Sequence, residues 1–203
     1  NIIKKIEKLK YPVIVKPACT GSSVGISVCE NEEKLREGIE DAIQYDSKVV
    51  VEEVVENLKE VNIAVMGNYE NQKVSEIEEV LSANKFLTFT DKYIGGGKGK
   101  LSKVKGAASA KQAGSKGMAS ASRIVPAALD KKLKEDIETI AVKAFKALGS
   151  AGVVRIDFLV DTKTSKPYIN EINNIPGSLS FYLWEPIGKE YTELLDELIN
   201  IGS

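Results

Sequence analysis

The chain has 203 residues, 43% of them hydrophobic and 28% charged, with a formal net charge of −1. That is enough apolar material for one domain or two small lobes, and the balanced charge gives no electrostatic case for nucleic acid or an anionic membrane as a partner. No histidine is present, Cys19 and Cys29 form no disulfide framework, and neither a membrane-length apolar run nor a signal peptide is seen. These features exclude histidine-based triads and the commonest zinc ligand, and they lead us to expect a cytoplasmic protein.

Tyr11–Pro17 reads as a buried strand that ends in Lys16 and a stiffening proline. Ala18–Gly25 follows, rich in Gly and Ser, so its backbone amides could approach a phosphate beside the Lys16 charge. A plain hairpin turn explains the same residues equally well. It is not a P-loop, because the Gly-Lys-Ser/Thr ending is missing. A strand at Ile26–Cys29 leads to a helix over Glu32–Tyr45, capped by Asn31, with Leu35, Ile39, Ala42 and Ile43 inward. Val49–Val55 reads as a buried strand interrupted by Glu52 and Glu53, and Glu60 opens the alternating strand Val61–Val65. Acids at a strand end can accept from a nucleoside's amino or hydroxyl groups, and a solvated strand end is the simpler alternative.

Gly95–Ser122 is rich in Gly, Ala, Ser and Lys and carries too few large apolar residues to offset the entropy of ordering. By composition it reads as a segment of low stability, with an interdomain linker as the plain reading. Asp130–Leu148 is an amphipathic helix with Leu133, Ile137, Ile140, Ala141, Ala144, Phe145 and Leu148 inward and Gly149 as its stop.

Val153–Asn173 is the most telling stretch. Two period-two runs flank a five-residue turn, Thr162–Lys166, which predicts a hairpin with Asp157 opposite Glu171 and Arg155 opposite Asn173. Two carboxylates, an amide and a guanidinium then share one face, a donor set suited to a hard cation such as Mg²⁺. A wet hairpin face is the plainer reading, but Asn is depleted in strands and the rigid turn Asn174–Ser178 follows directly. Tyr191–Ile201 closes the chain as a helix on Leu194, Leu195, Leu198 and Ile199.

In this order, Val13–Pro17, Gly21–Gly25, Glu52-Glu53 with Glu60, Asp91-Lys92-Tyr93, Arg155-Ile156-Asp157 and Asn170–Asn173 through Pro176-Gly177-Ser178 resemble the motif series of the ATP-grasp fold, and within it the D-alanine–D-alanine ligases. The resemblance spans nearly the whole chain. It implies an α+β fold of two α/β lobes with mostly antiparallel sheets sandwiching ATP: a smaller lobe over 1–56 and a larger one over 57–203 with a mobile lid at about 88–122.

The family's roles carry over residue by residue. Lys16 is similar to the lysine on the ATP phosphates, and Gly21, Ser22, Ser23 and Val24 to the phosphate-covering loop, with Ser22 facing substrate. Glu52, beside Glu53, is similar to the adenine-binding acid, Val54 and Val55 to the adenine hinge, and Glu60 to the ribose acid, here one residue further on. Lys92 and Tyr93 are similar to the mobile-loop pair, on γ-phosphate and substrate. Asp157, Glu171 and Asn173 are similar to the ligands of Mg²⁺ (or Mn²⁺), two ions in all. Arg155 is similar to the arginine that stabilises the tetrahedral intermediate, and Gly177 to the backbone oxyanion contact.

The implied reaction joins two D-alanines for peptidoglycan through an acyl phosphate. The family's N-terminal domain has no counterpart here, so the chain is expected to be an inactive fragment of a full-length enzyme, for which the resemblance leaves a homodimer open. The family's serine for the second substrate falls near Tyr182, with Ser178 or Ser180 as substitutes. Another ATP-grasp carboxylate–amine ligase, a D-lactate- or D-serine-using relative, and a non-catalytic nucleotide-binding module remain open, although Tyr93 favours D-alanine.

Overall fold

The computed structural model of the chain describes residues 6, 8–20, 24–81 and 122–203. Gly21, Ser22, Ser23, Lys92 and Tyr93 lie outside the described residues, as does the expected lid up to residue 121. The described residues divide into two compact units, which part between Glu56 and Asn57.

The first unit is a three-stranded antiparallel sheet with β1 (Val13–Pro17) between β2 (Ser27–Cys29) and β3 (Val49–Glu53). One helix, α1 (Glu32–Ala42), lies in the crossover between β2 and β3. Asn31 caps it as expected, its side chain accepting from the Lys34 amide at 3.0 Å. Val13, Val15, Cys29, Leu35 and Ala42 form the core beneath it. Gly38 sits on this seam because a Cβ there would lie 2.9 Å from Cys29 Sγ. The helix stops three residues before Tyr45, which leaves Ile43 at the C-cap and 49% exposed, not inward. β3 is half-buried and ends at Glu53, because Val54 and Val55 leave the sheet.

The second unit is a five-stranded antiparallel sheet. Its strands are β4 (Leu58–Gly67), β5 (Gln72–Leu81), β6 (Ser122–Ile124), β7 (Gly152–Asp161) and β8 (Lys166–Asn173), in the order β6-β5-β4-β7-β8. The strands that flank the expected lid in sequence, β5 and β6, are therefore neighbours in one sheet, and Ser122 is strand. One sheet face packs on α2 (Lys131–Ala147) through Val61, Ile63, Ile77, Ile137, Phe145, Ile156 and Phe158. Asp130 caps α2 by accepting from the Leu133 amide at 2.9 Å. Gly149 (φ +59) ends it in a Schellman turn, with Gly149 N–H on Lys146 O and Ser150 N–H on Phe145 O. Leu148, expected inward, is 59% exposed because it is the residue on which the helix turns out.

The opposite face is divided. Ala64, Met66 and Val153 at one end are covered by a 3-10 segment (Gly177–Leu183), Trp184 and α3 (Tyr191–Gly202), with Leu183, Trp184 and Leu194 fully buried. Leu198 and Ile201 complete that contact, and Ile199 points to solvent at 66% exposure, contrary to the periodicity. Beyond this apolar patch the same face turns polar: Asn62, Glu78, Arg155 and Asp157 replace its hydrophobic residues.

The β7–β8 hairpin pairs Asp157 with Glu171 and Arg155 with Asn173, as the alternation predicts. Past Asp157 the register slips by one, Phe158 pairing with Ile169, so that Asn170 is the extra residue of a β-bulge. The slip shortens the turn to Thr162–Ser165, with Lys166 inside β8. Asp161 holds that turn by accepting from the Lys163 amide and the Thr164 hydroxyl, and Ser165 takes φ 54.

Candidate functional site

In the first unit, Lys16 and Glu52 share the sheet face opposite α1. Their charged ends are 2.7 Å apart, with side chains 20% and 41% exposed. Glu53 is exposed, and Val54 and Val55 are half-buried just beyond the strand. The loop after β1 is held from both ends. The Cys19 amide donates to Asp46 Oδ2 at 2.7 Å, and Thr20 Oγ1 donates to the Val24 carbonyl at 3.3 Å. Gly25 adopts φ +72 with Tyr45 and Pro17 so close that a Cβ would meet them at 2.6 and 2.9 Å. The bend that returns the loop to β2 therefore requires glycine.

In the second unit the hairpin delivers four of the expected residues to one patch. Arg155 grips Asp157 with two parallel bonds, Nε to Oδ1 at 2.7 Å and Nη2 to Oδ2 at 2.8 Å. Asn173 Nδ2 adds a third donor to Asp157 Oδ2 at 3.1 Å. Glu171, exposed, stands opposite Asp157 across the strand pair. The hydrogen bonds that Arg155 donates to Asp157 raise the Arg155 pKa further above its already high value, against the opposing effect of burial. Two of the five guanidinium N–H groups are thus committed to a fixed plane. Asp157 and Arg155, expected from the sequence in two separate roles, are joined in one ion pair. Glu60 lies in β4 and is half-buried, two residues from Asn62 on the same face.

Sequence reasoning missed the next part of this face. Asn62 is paired with Asp157 on one side and with Glu78 on the other, so the sheet carries a polar rung Glu171–Asp157–Asn62–Glu78. Glu78 is only 3% exposed. Its Oε1 accepts from Asn62 Nδ2 at 2.9 Å and from the Tyr182 hydroxyl at 2.8 Å. Among the described residues its Oε2 accepts no hydrogen bond but faces Arg123 Nη1 at 3.5 Å. The Arg123 guanidinium also stacks on the Tyr182 ring, 4.3 Å from its centroid. Burial, and then the Glu78 charge, push the Tyr182 phenol up to about 12, so it stays a neutral donor at ordinary pH.

Gly177 opens the 3-10 segment and is exposed. Ser178, Leu179 and Ser180 then take φ of 51, 55 and 52, left-handed values that non-glycine residues rarely adopt. Of the two serines expected as substitutes, Ser178 is exposed and Ser180 is fully buried, its Oγ without a hydrogen-bond partner among the described residues. Tyr182 occupies the neighbouring position instead, with its hydroxyl committed to Glu78.

Among the described residues no group of three or more His, Cys, Asp or Glu could hold a metal ion by itself. Asp157, Glu171 and Asn173 supply two carboxylates and one amide, which fits Mg²⁺ when substrate phosphates complete its shell. No described helix is long and apolar enough to cross a membrane.

A three-stranded and a five-stranded antiparallel sheet, each backed by a helix, with solved ligases sharing the arrangement, define an α+β protein of the ATP-grasp class. The family model for the D-ala D-ala ligase C-terminus matches residues 1–200, and the chain belongs to that family. D-alanine–D-alanine ligase of Thermosipho melanesiensis is 40% identical over 203 residues, which cover 100% of this chain and 49% of the relative. D-alanine–D-alanine ligase B of Clostridium tetani is 37% identical over 206 residues, covering 100% and 51%. Among solved structures, VanG D-Ala:D-Ser ligase from Enterococcus faecalis superposes with a TM-score of 0.73 at 29% identity, covering 98% of this chain and 52% of that one. D-alanine–D-alanine ligase from Helicobacter pylori gives 0.64 at 26% identity, covering 98% and 51%. The chain thus spans about half the length of the relatives it matches.

Proposed function

We propose that this chain is the ATP- and Mg²⁺-binding portion of a D-alanine–D-alanine ligase that makes the dipeptide used in peptidoglycan. The observation that carries the reading is the convergence of Arg155, Asp157, Glu171 and Asn173 on one sheet face, in a chain of this family. In the reaction, one D-alanine carboxylate is activated by the γ-phosphoryl group of ATP. The amine of a second D-alanine then attacks it, releasing ADP and phosphate.

The work left to the protein is positioning and charge neutralisation, which needs no histidine. Lys16 is assigned to the nucleotide phosphates with Gly21, Ser22, Ser23 and Val24. Glu52, Glu53, Val54, Val55 and Glu60 are assigned to the nucleoside, and Lys92 and Tyr93 to γ-phosphate and substrate. Asp157, Glu171 and Asn173 would hold the metal, which when bound supplies positive charge to the phosphates. Arg155, held in plane by Asp157, directs its remaining N–H donors at charge that develops on the reacting carbon's oxygens, with the Gly177 backbone as a further donor. Such donors accelerate the reaction because they meet the transition state more strongly than the ground state.

Calorimetric titration of the 203-residue chain with ATP tests the site. Weak, Mg²⁺-dependent binding is expected, and it should disappear in the double variant Asp157→Ala, Glu171→Ala; unchanged affinity there refutes the metal assignment. By itself the chain should form no dipeptide. The full-length protein should couple D-alanine to D-alanine, and preferential coupling to D-serine would move it to the second reading suggested by the likeness to the D-Ala:D-Ser ligase.

A further inference from the structure

Glu78 is the largest departure from what an ordinary sheet would place at its position. It is a charged side chain at 3% exposure on a β-strand; among the described residues one of its oxygens accepts no hydrogen bond, and its bonding partners come from three other segments. Stability does not explain it: a buried ion pair can usually be replaced by apolar side chains at no loss. Buried polar groups with incomplete partners tend instead to mark sites where orientation matters.

Its surroundings say what it orients. Asn62 connects its carboxylate to the rung that carries Asp157. The Tyr182 hydroxyl and the Arg123 guanidinium converge on its two oxygens while stacking on one another. Glu78 and Tyr182 also act electrostatically on Arg155. The cluster therefore borders the guanidinium–carboxylate pair and shares its field.

We propose that Glu78 is a positioning residue for the ligase reaction, fixing the Tyr182 phenol and the Arg123 guanidinium as one wall beside the Arg155–Asp157 pair. The inference rests on the ligase reading above. Glu78 touches no reacting atom in this scheme. It acts through Tyr182 and Arg123, so its loss moves the chemical step and leaves nucleotide binding alone.

The test is steady-state kinetics of the full-length protein with Glu78→Ala, Glu78→Gln, Tyr182→Phe and the Glu78→Ala/Tyr182→Phe double variant. Displacement of such a wall should lower kcat about 10–100-fold while KM for ATP changes less than about twofold. Glu78→Gln keeps a carbonyl for Asn62 and Tyr182 and should recover part of the loss. The double variant should be no worse than the poorer single one, because both remove the same contact. Should Glu78→Ala not fold, Glu78→Gln and Tyr182→Phe still decide the matter. Unchanged kcat in both, a parallel rise in KM for ATP, or strictly additive losses overturn the proposal while leaving the ligase reading intact. A wild-type full-length protein that forms no D-alanyl dipeptide overturns the ligase reading, and this inference with it.

Discussion

Replacing Asp157 by Asn keeps the side-chain shape and removes the charge that faces Arg155. The wild-type pair makes two charge-assisted bonds at 2.7 and 2.8 Å, with side chains 16% and 18% exposed. A fully exposed pair contributes about 0–1 kcal/mol, and breaking a fully buried one costs about 3–5 kcal/mol. The low exposure and bidentate geometry put this pair between those limits, at about 2 kcal/mol. The amide oxygen of Asn can accept only from one side, and its NH₂ group would oppose the guanidinium. For a chain of this length that loss lowers Tm by about 4–8 °C.

Circular dichroism melting and ATP titration with and without Mg²⁺ should be run on the same preparation, because the two readouts separate two roles. Asp157→Asn should lower Tm and Mg²⁺-dependent affinity together. Glu171→Gln, at an exposed position, should leave Tm within about 1–2 °C, as surface substitutions usually do, and still weaken Mg²⁺-dependent binding. A Tm for Asp157→Asn equal to wild type would refute the stability argument. Wild-type Mg²⁺-dependent affinity in both variants would refute the metal face.

Gly38→Ala should destabilise the first unit by about 1–3 kcal/mol, read by chemical denaturation, since the new Cβ meets Cys29 Sγ at 2.9 Å and Ser27 Cβ at 3.3 Å. Phe145→Ala, at a fully buried position under the five-stranded sheet, should cost about 3–5 kcal/mol in the same assay. Iodoacetamide at pH 8 should label exposed Cys19 in the native protein and reach buried Cys29 only after denaturation. Burial also pushes the Cys29 thiol up to about 11 from 9.0. Between those two values the unfolded chain has lost its proton and the folded one has kept it, so stability contributed by Cys29 is complete below pH 9 and falls as pH rises toward 11. Cys29→Ala should flatten that alkaline decline in Tm measured across pH 8.5–11.

The hairpin register was legible because period-two alternation and turn length fix which residues face each other, and the bulge at Asn170 begins only beyond Asp157. Both caps, Asn31 and Asp130, were legible for an equally local reason: a side-chain acceptor one residue before a helix satisfies an otherwise orphaned amide. Ile43, Leu148 and Ile199 show where periodicity misleads. The first two mark the points at which their helices stop, and an apolar residue there faces inward only if the helix continues; Ile199 lies inside α3 but one step off the stripe formed by Leu194, Leu198 and Ile201.

Glu78 was illegible for a different reason. In Ser75-Glu76-Ile77-Glu78-Glu79 the three acids look alike, and Glu is rarely buried, so all three read as a solvated strand. Their fates are set by the β-bulge opposite Ala64, where the register slips between Ile63 and Val65. The slip puts both Val74 and Ile77 on the α2 side and lets Ser75 Oγ accept the Ala64 amide that the ladder leaves over. Glu76 then pairs with Lys134 of α2 at 2.7 Å, and Glu79 with Lys59 at 3.0 Å. Glu78 is left on the far face, beside Asn62, and Arg123 and Tyr182 reach it from segments 45 and 104 residues further along. A single inserted residue therefore decides which of three adjacent-looking carboxylates joins the polar rung. Deleting Ser75 would remove the extra residue and still leave Ile77 opposite Ile63 and Glu78 opposite Asn62, whereas a regular ladder with Ser75 kept in line after Val74 would turn Glu76 and Glu78 over and uncouple Tyr182 from the Asp157 face.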